Sequence, residues 1–285
     1  MDKIIGLGKL GCSIADELAE HPEYRIYKIG SAIDERASLS IGEFSDIEEY
    51  EKGVDAGEVE IYLRTVKPGE DVLLILGGGD PIAGSALKIL ETIKDAKIYI
   101  LYVCPDRGMI SEIQKRDDKI SFNIMQEFAR SGIFEKIFLV DRTLVEELMG
   151  EVAVQDYEKS VSHFISYVVA MINYFNHSDP LVSSKIDPPE HCRIATFGIS
   201  NLEAKDKEVN LLFPLASITD FHFFYGVPAQ LLESDGTLMK QIKNHVKGFK
   251  TSDQSTSFSV HATSFENIMV LCSVFSHQIQ AFASS

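Results

Sequence analysis

The first half of the chain alternates between short, continuous apolar runs and longer amphipathic stretches. Runs such as DVLLIL (71–76) and KIYILYVC (97–104) are typical of parallel strands that are buried on both faces. We predict strands at residues 3–7, 24–29, 71–76, 97–104 and 136–140. Helices are predicted at residues 12–20, from the glycines at 77–79 to residue 95, and at 111–130. Residues 34–60 are interpreted as loops with short elements. This alternation predicts an α/β fold with a doubly wound parallel sheet, in which ligands lie at the carboxyl ends of the strands.

The second half of the chain has a different pattern. Apolar residues recur at helical spacing from Asp156 to Phe175 over a wide arc, which predicts one long central helix buried between two bodies. A connector rich in proline and serine follows at 176–190. We then predict strands at 193–199 and 221–227, a helix at 235–246, and a hairpin of strands 257–263 and 267–275. The predicted organisation is an α/β nucleotide-binding-like domain (1–155), the central helix and connector (156–191), and a smaller mixed α/β domain (192–285).

Composition and charge narrow the class of protein. The 285 residues are 45% hydrophobic, but no apolar run reaches the roughly 18–20 residues of a membrane span, and the N-terminus lacks a secretion signal. We therefore expect a cytoplasmic protein without membrane insertion. A net charge of −16 opposes nucleic-acid binding. It also implies that a bound nucleotide is held mainly by backbone N–H groups or a metal ion.

The cysteines and histidines give no metal-binding pattern. Cys12, Cys104, Cys192 and Cys272 are scattered along the chain, whereas zinc requires clustered ligands. The eight histidines are equally dispersed. We therefore predict no metal site made of these side chains.

A first glycine turn, GLGKLG at 6–11, lies between a predicted strand and a predicted helix. It fits the pattern G-x-G-x-x-G, in which glycines let the backbone approach a phosphate and the helix start offers N–H groups. The alternative is a tight strand-to-helix turn that binds nothing. The candidate phosphate-binding residues of this turn are Gly6, Gly8, Lys9, Leu10 and Gly11.

A second glycine turn, GGGDPIAGSA at 77–86, follows the strand at 71–76. Two such turns on one sheet resemble the tubulin/FtsZ family, whose signature loop reads GGGTGTG before small residues and a helix. GLGKLG is similar to that family's first phosphate loop, and RIATFGIS (193–200) resembles the strand that opens its second domain. The resemblance covers nearly the whole chain in order. It adds the candidate binding residues Gly77, Gly78, Gly79, Asp80, Gly84 and Ser85.

The resemblance implies a site for GTP or GDP, with Mg²⁺ as an additional option. VCPDRGMISEIQKR (103–116) resembles the stretch where FtsZ has a glutamate and an arginine four apart near the ribose and base; these fall at Glu112 and Arg116. FLVDRTLVEEL (138–148) resembles the FtsZ segment IPNDRLL, with Asp141 and Arg142 on its Asp-Arg pair, and places Asp141 at the site. On the central helix, Asp156 and Tyr157 are the candidates for the base-binding position.

The second turn departs from the family pattern. Asp80, Pro81 and Ile82 replace residues that would donate to phosphate, and proline has no N–H. Asp80 either holds Mg²⁺ together with phosphate oxygens or caps the following helix, with Pro81 at its first position. The altered loop leaves open whether the protein is a GTPase.

The family's activating acids follow its central helix and reach the nucleotide of the next subunit. Asp179 is the better match here and Asp187 the second, while the family's second acid would fall at Val182. Asp179 is therefore the candidate catalytic residue. The alternative is that it is a turn residue before Pro180.

Three functions remain as hypotheses. The first is a tubulin/FtsZ-like GTP-binding protein that associates with itself head to tail into filaments and hydrolyses GTP at the subunit interface. The second is a degenerate, non-hydrolysing relative that acts as a binding or scaffold module. The third is an NAD-dependent oxidoreductase, suggested by GLGKLG alone. Such an enzyme requires an acid at the end of the second strand, and Asp34 and Glu35 come late for that position.

Overall fold

A computed structural model describes residues 1–31, 38–202 and 208–281 of the chain. The chain divides into two compact units, Met1–Tyr167 and Val168–Ser285. Within the described ranges, no helix is long and apolar enough to cross a membrane.

The first unit contains a parallel sheet with strand order β3-β2-β1-β4-β5-β6. Its strands are β1 (Lys3–Leu7), β2 (Arg25–Gly30), β3 (Ser38–Ser40), β4 (Asp71–Gly77), β5 (Lys97–Cys104) and β6 (Lys136–Asp141). Its helices are α1 (Gly8–Leu18), α2 (Ile47–Gly53), α3 (Ala56–Leu63), α4 (Ala86–Glu91), α5 (Glu112–Arg130) and α6 (Arg142–Met149). The long helix α7 (Tyr157–His177) begins in this unit and ends in the second. The predicted doubly wound α/β arrangement and the long helix are confirmed.

Side-chain caps fix where several of these helices begin. Asp46, Asp55 and Asp141 each accept a backbone N–H from the first turn of α2, α3 and α6, respectively. Ser111 and Gln114 form a reciprocal capping box at the start of α5. These bonds satisfy N–H groups that have no partner within a helix.

The helix after the first glycine turn begins four residues earlier than predicted, at Gly8 rather than at residue 12. Gly8 has a φ of 72°, a conformation that glycine adopts without strain, so the chain passes from strand to helix within the turn. The helix after the second turn is shorter than predicted. It consists of a 3₁₀ turn (Pro81–Ser85) followed by α4, which ends at Glu91.

The second unit contains a mixed sheet with strand order β9-β8-β12-β10-β11-β7. Its strands are β7 (Val182–Ser183), β8 (Ile194–Ser200), β9 (Val209–Leu211), β10 (Ile218–Pro228), β11 (Ser255–Thr263) and β12 (Met269–Ser276). Its helices after α7 are α8 (Ala229–Ser234) and α9 (Leu238–Lys247). The aromatic run of β10 is core: Phe223, Phe224 and Tyr225 are buried.

The predicted hairpin of the last two strands is wrong. β10 lies between them, parallel to β11 and antiparallel to β12. The connection at 264–268 therefore crosses β10, a distance of about 10 Å for two strand spacings. The sequence shows two strands with a short link, but not that an earlier strand inserts between them.

The packing of α1 on the sheet gives a stability prediction. A Cβ on Gly11 would collide with the carbonyl oxygen of Ile75 and would lie 3.2 Å from its carbonyl carbon. We expect Gly11→Ala to lower the free energy of unfolding by about 1–3 kcal/mol, because overpacking outweighs the gain in helix propensity. Chemical denaturation followed by circular dichroism measures this change.

Gly236→Ala is the matched control, since a Cβ there meets nothing within 4 Å. We expect this variant to be neutral or to gain up to about 1 kcal/mol. Equal stability of the Gly11 and Gly236 variants would contradict the proposed close approach of α1 to β4.

Candidate functional site

Both glycine turns lie at the same edge of the first unit's sheet. β1 and β4 are hydrogen-bonded neighbours, and their register pairs Leu7 with Leu76. Each strand leads directly into its glycine turn. The carboxyl ends of parallel strands meet at one edge, which is where ligands bind in sheets of this kind.

The start of α1 is open to a ligand at this edge. Leu7, the residue before the helix, makes no side-chain cap, and the first turn contains no acidic residue. The N–H groups of a first helical turn have no partner within the helix and carry partial positive charge. This helix start therefore has the properties of an anion-binding site.

The two turns contact each other. A Cβ on Gly8 would lie 2.7 Å from Cγ2 of Ile82 and 2.9 Å from Oδ2 of Asp80. A larger residue at position 8 would push the two turns apart. Gly8 therefore contributes to the site by letting the second turn approach the helix start.

Asp80 caps the 3₁₀ turn that begins at Pro81. Its Oδ1 accepts the backbone N–H of Ile82 at 3.2 Å, and Ser85 Oγ donates to the carbonyl oxygen of Ile82 at 2.6 Å. Burial raises the pKa of the Asp80 carboxyl. The capping alternative for Asp80 and Pro81 is thus confirmed. The described residues contain no group of three or more His, Cys, Asp or Glu side chains placed to hold a metal ion.

A cavity of about 500 Å³ opens between the two turns and the start of α7. This volume lies within the range of small-molecule sites. Of the residues named from the sequence, Lys9, Leu10, Gly77, Gly78, Asp80 and Tyr157 line it. The other lining residues are Ser13, Val103, Pro105, Asp106, Met109, Ile110, Arg142, Glu146, Glu158 and Ser162.

The charges of the cavity wall are mixed, with acids in excess. Arg142 binds Glu146 at 2.8 Å and Glu158 at 2.7 Å, and these bonds raise its pKa against the opposing effect of burial. Its guanidinium carbon lies 5.6 Å from the centre of the Tyr157 ring. A hydrogen bond to Glu146 raises the pKa of Tyr157. Arg142 is thus held by two carboxylates, whereas the exposed Lys9 lies at the helix start.

An ion pair between the half-buried Arg107 and the buried Asp118 packs against the second glycine turn. Arg107 donates to Oδ2 of Asp118 from Nε at 3.2 Å and from Nη2 at 2.8 Å, and the Tyr102 hydroxyl donates to Oδ1 at 2.8 Å. Asp118 is fully buried, and burial raises its pKa against the opposing effect of Arg107. A Cβ on Gly78 would clash with Oδ1 of Asp118, so this network fits closely against the turn.

The remaining residues named from the sequence have other contacts. Glu112 pairs with Lys115, Arg116 pairs with Asp117, and Asp141 caps α6. Gly6 and Gly11 pack against each other, Gly79 lies beside Gln114, Gly84 lies beside Ile47, and Ser85 is buried. Their roles toward a ligand stay predictions.

Asp156 and Asp179 do not line this cavity. Asp156 lines a separate groove of the first unit, beside Leu148 and Phe164. Asp179 is exposed in the second unit, between the end of α7 and β7. Asp34 and Glu35 lie outside the described residues.

Sequence reasoning did not assign several charged residues to the site, although it aligned Arg142 with the arginine of the FtsZ Asp-Arg pair. Arg142 and Glu146 have the i, i+4 spacing of a helical ion pair, which was a usable signal. Glu158 lies on the next helix, and Asp106 comes two residues after the end of β5. No periodicity in the sequence brings these two side chains to the glycine turns.

The fold matches solved structures over nearly the whole chain. CetZ from Methanosaeta thermophila is 12% identical with a TM-score of 0.72, covering 97% of this chain and 86% of that one. An FtsZ dimer from M. jannaschii is 14% identical with a TM-score of 0.69, covering 97% and 88%. A GTPγS-form protofilament of TubZ from Bacillus thuringiensis serovar israelensis is 13% identical with a TM-score of 0.70, covering 97% and 86%.

These similarities show that the chain has the tubulin/FtsZ fold, as the sequence predicted. At 12–14% identity they establish the fold alone. No protein-family model and no curated protein sequence matches the chain.

The ion pair between Arg107 and Asp118 leads to a prediction about how stability depends on pH. Arg107→Gln leaves the carboxylate of Asp118 buried without its cation, so we expect the free energy of unfolding at pH 7 to fall by about 3 kcal/mol. The pKa of Asp118, already raised by burial, should rise further. The native state then binds a proton that the unfolded state does not, and the deficit relative to wild type should shrink as pH falls.

Urea denaturation between pH 5 and 8 measures this difference. Adding Asp118→Asn to Arg107→Gln removes the buried charge and should restore part of the stability at pH 7. The account of Asp118 as a buried carboxylate paired with Arg107 would be contradicted by either of two results. One is a stability deficit that grows on acidification, and the other is a double variant less stable than Arg107→Gln alone.

Proposed function

We propose that this protein binds GTP and GDP in the cavity between its two glycine turns and associates with itself head to tail in the cytoplasm. The observation that carries this proposal is the shared wall: both turns and the uncapped start of α1 line one cavity at the carboxyl edge of a parallel sheet. That arrangement suits a ligand with a phosphate chain and an organic body.

In this proposal the phosphates lie against the helix start. The N–H groups of the first turn of α1 donate to phosphate oxygens, and Lys9 adds a charge-assisted bond. Gly77 and Gly78 also line this cavity. Asp80, Asp106, Glu146 and Glu158 repel an unaccompanied anion. A Mg²⁺ ion carried by the nucleotide would reduce this repulsion, with Asp80 the carboxylate proposed to face it.

The base and ribose would lie farther along the cavity. Tyr157, with Arg142 beside its ring, offers a flat surface for a base. Glu112, Arg116 and Asp141 remain proposed contacts by resemblance to the family.

Hydrolysis would require a second subunit. Asp179 of one subunit would orient water against the γ-phosphorus of the nucleotide held by its neighbour. Water adds to phosphorus, the bond to the β–γ bridging oxygen breaks, and GDP and inorganic phosphate leave, with the proton of the water passing to phosphate. The TubZ structures described as protofilaments are the solved relatives that suggest such assembly.

The non-hydrolysing alternative has its own support. Asp80 is engaged as a helix cap and Pro81 has no N–H, so the second turn offers fewer donors to a γ-phosphate. The family's second activating acid is replaced by Val182. In this alternative the protein binds nucleotide and assembles without turnover.

The binding proposal predicts a selective effect of Lys9. Isothermal titration with GTP and Mg²⁺ should show heat in the wild type, and Lys9→Ala should weaken binding about tenfold through loss of one charge-assisted bond. Lys243→Ala, an equal change of charge at an exposed position of α9, should leave affinity unchanged. Absence of heat with the wild type, or equal effects of both variants, rejects binding in this cavity.

The hydrolysis proposal predicts a selective effect of Asp179. Phosphate release per subunit should rise with protein concentration, because the site forms between subunits. Asp179→Asn should slow release by about 100-fold while GTP affinity stays unchanged. Asp187→Asn, the second acid of the same connector, is the matched comparison and should retain turnover. Absent release favours the non-hydrolysing alternative, whereas release that is independent of concentration rejects a catalytic site formed between subunits.

A further inference from the structure

A chain of buried hydrogen bonds crosses one face of the second unit's sheet. It runs from Ser257 Oγ to His222 Nδ1 at 2.7 Å, and from His222 Nε2 to Ser259 Oγ at 3.3 Å. Ser259 Oγ then meets His261 Nε2 at 2.9 Å, and His261 Nδ1 meets Ser178 Oγ at 2.9 Å. Two imidazoles and three hydroxyls thus form one continuous relay, which we call the serine–histidine chain.

The pairing of β10 with β11 places these side chains on one face. His222 pairs with Ser257, and Gly226 pairs with His261. The two histidines are only 5% and 2% exposed. Phe175, at the end of α7, covers this face: its ring centre lies 4.8 Å from that of His261, and a Cβ on Gly226 would approach its Cζ to 2.9 Å. Most of the serine–histidine chain is therefore shielded from solvent.

One end of the serine–histidine chain, at Ser178, is next to the candidate catalytic residue. Ser178, which is half-buried, directly precedes the exposed Asp179. On the other side of Asp179 and Pro180, Leu181 donates its N–H to the carbonyl oxygen of Val260 at 2.8 Å, and Val182 pairs with Val260 in the sheet. Asp179 and Pro180 therefore form a two-residue turn with an anchor at each end.

We propose that Ser178 and His261 are positioning residues that hold the Asp179 turn in one conformation through the serine–histidine chain. The assignment of a role in hydrolysis rests on the proposed function, whereas the fixing of the turn does not. A carboxylate that acts on a neighbouring subunit is more effective when its backbone is rigid, because a misplacement of about 1 Å lowers the rate by up to 100-fold.

Burial favours the neutral form of both imidazoles. Burial lowers the pKa of His222 to about 3 and lowers the pKa of His261, and the charge of Lys185 acts in the same direction on both. The other elements against the rings contribute uncharged groups: Phe175 and Ser178 from α7, and Phe224 from β10. A proton on His261 would place a buried cation near Lys185, so we expect the turn to loosen as pH falls below 6.5.

Hydrogen–deuterium exchange tests the positioning directly. Exchange of the peptide at 178–184, corrected for the intrinsic effect of pH, should accelerate about fivefold in Ser178→Ala. This variant removes the bond to His261 and a longer bond, 3.4 Å, that Ser178 Oγ donates to the carbonyl oxygen of Phe175. Ser178→Thr keeps the hydroxyl and should restore protection. Ser234→Ala removes an exposed hydroxyl of α8 and is the control for a general effect. Wild-type protection should fall as pH drops below 6.5, and Ser178→Ala should lack this dependence on pH.

The same variants separate the positioning from the proposed function. If the protein hydrolyses GTP, Ser178→Ala should lower the maximal rate about tenfold with unchanged GTP affinity, and Ser178→Thr should rescue it. If the wild type does not hydrolyse GTP, the proposed catalysis fails, and the exchange data still decide whether the turn is held. Unchanged exchange and an unchanged pH profile in Ser178→Ala would overturn the positioning proposal.

Discussion

The site depends on one constraint, the side-by-side parallel pairing of β1 and β4. Because Leu7 and Leu76 are in register, the chain leaves both strands at the same height and forms both glycine turns at one edge. Gly11 allows α1 to lie directly on β4, and Gly8 allows the second turn to touch the start of α1. The cavity is thus a consequence of strand order and of two positions that lack a side chain.

The charged side chains at this edge of the sheet differ from those of a binding site built on basic residues. Arg142 is held by Glu146 and Glu158, and Asp80 is used as a helix cap. An anion would therefore be held mainly by backbone N–H groups at the start of α1, with Lys9 as an exposed cation. The net charge of −16 agrees with this arrangement. The field of the whole protein repels an anion, so its binding depends on local geometry.

The parts of the fold that could be predicted are those that local pattern determines. The apolar runs of β4 and β5 and the long apolar arc of α7 each specify one element, and two ordered glycine turns indicate their common edge. The predicted start of α1 was wrong because hydrophobic periodicity carries no information about the φ of Gly8. β10 inserts between β11 and β12 through tertiary packing, and the local sequence pattern does not predict this strand order. The pairing of Arg107 with Asp118 likewise joins a loop to a helix through packing alone.

The most direct test of the central claim is where a nucleotide contacts the protein. Backbone amide shifts in a ¹⁵N-labelled sample titrated with GDP and Mg²⁺ report this residue by residue. We predict that the largest shifts fall in two groups, residues 8–13 and residues 77–80. Shifts confined to other parts of the chain, or no shifts at millimolar GDP, would contradict the claim that the two glycine turns enclose an anion.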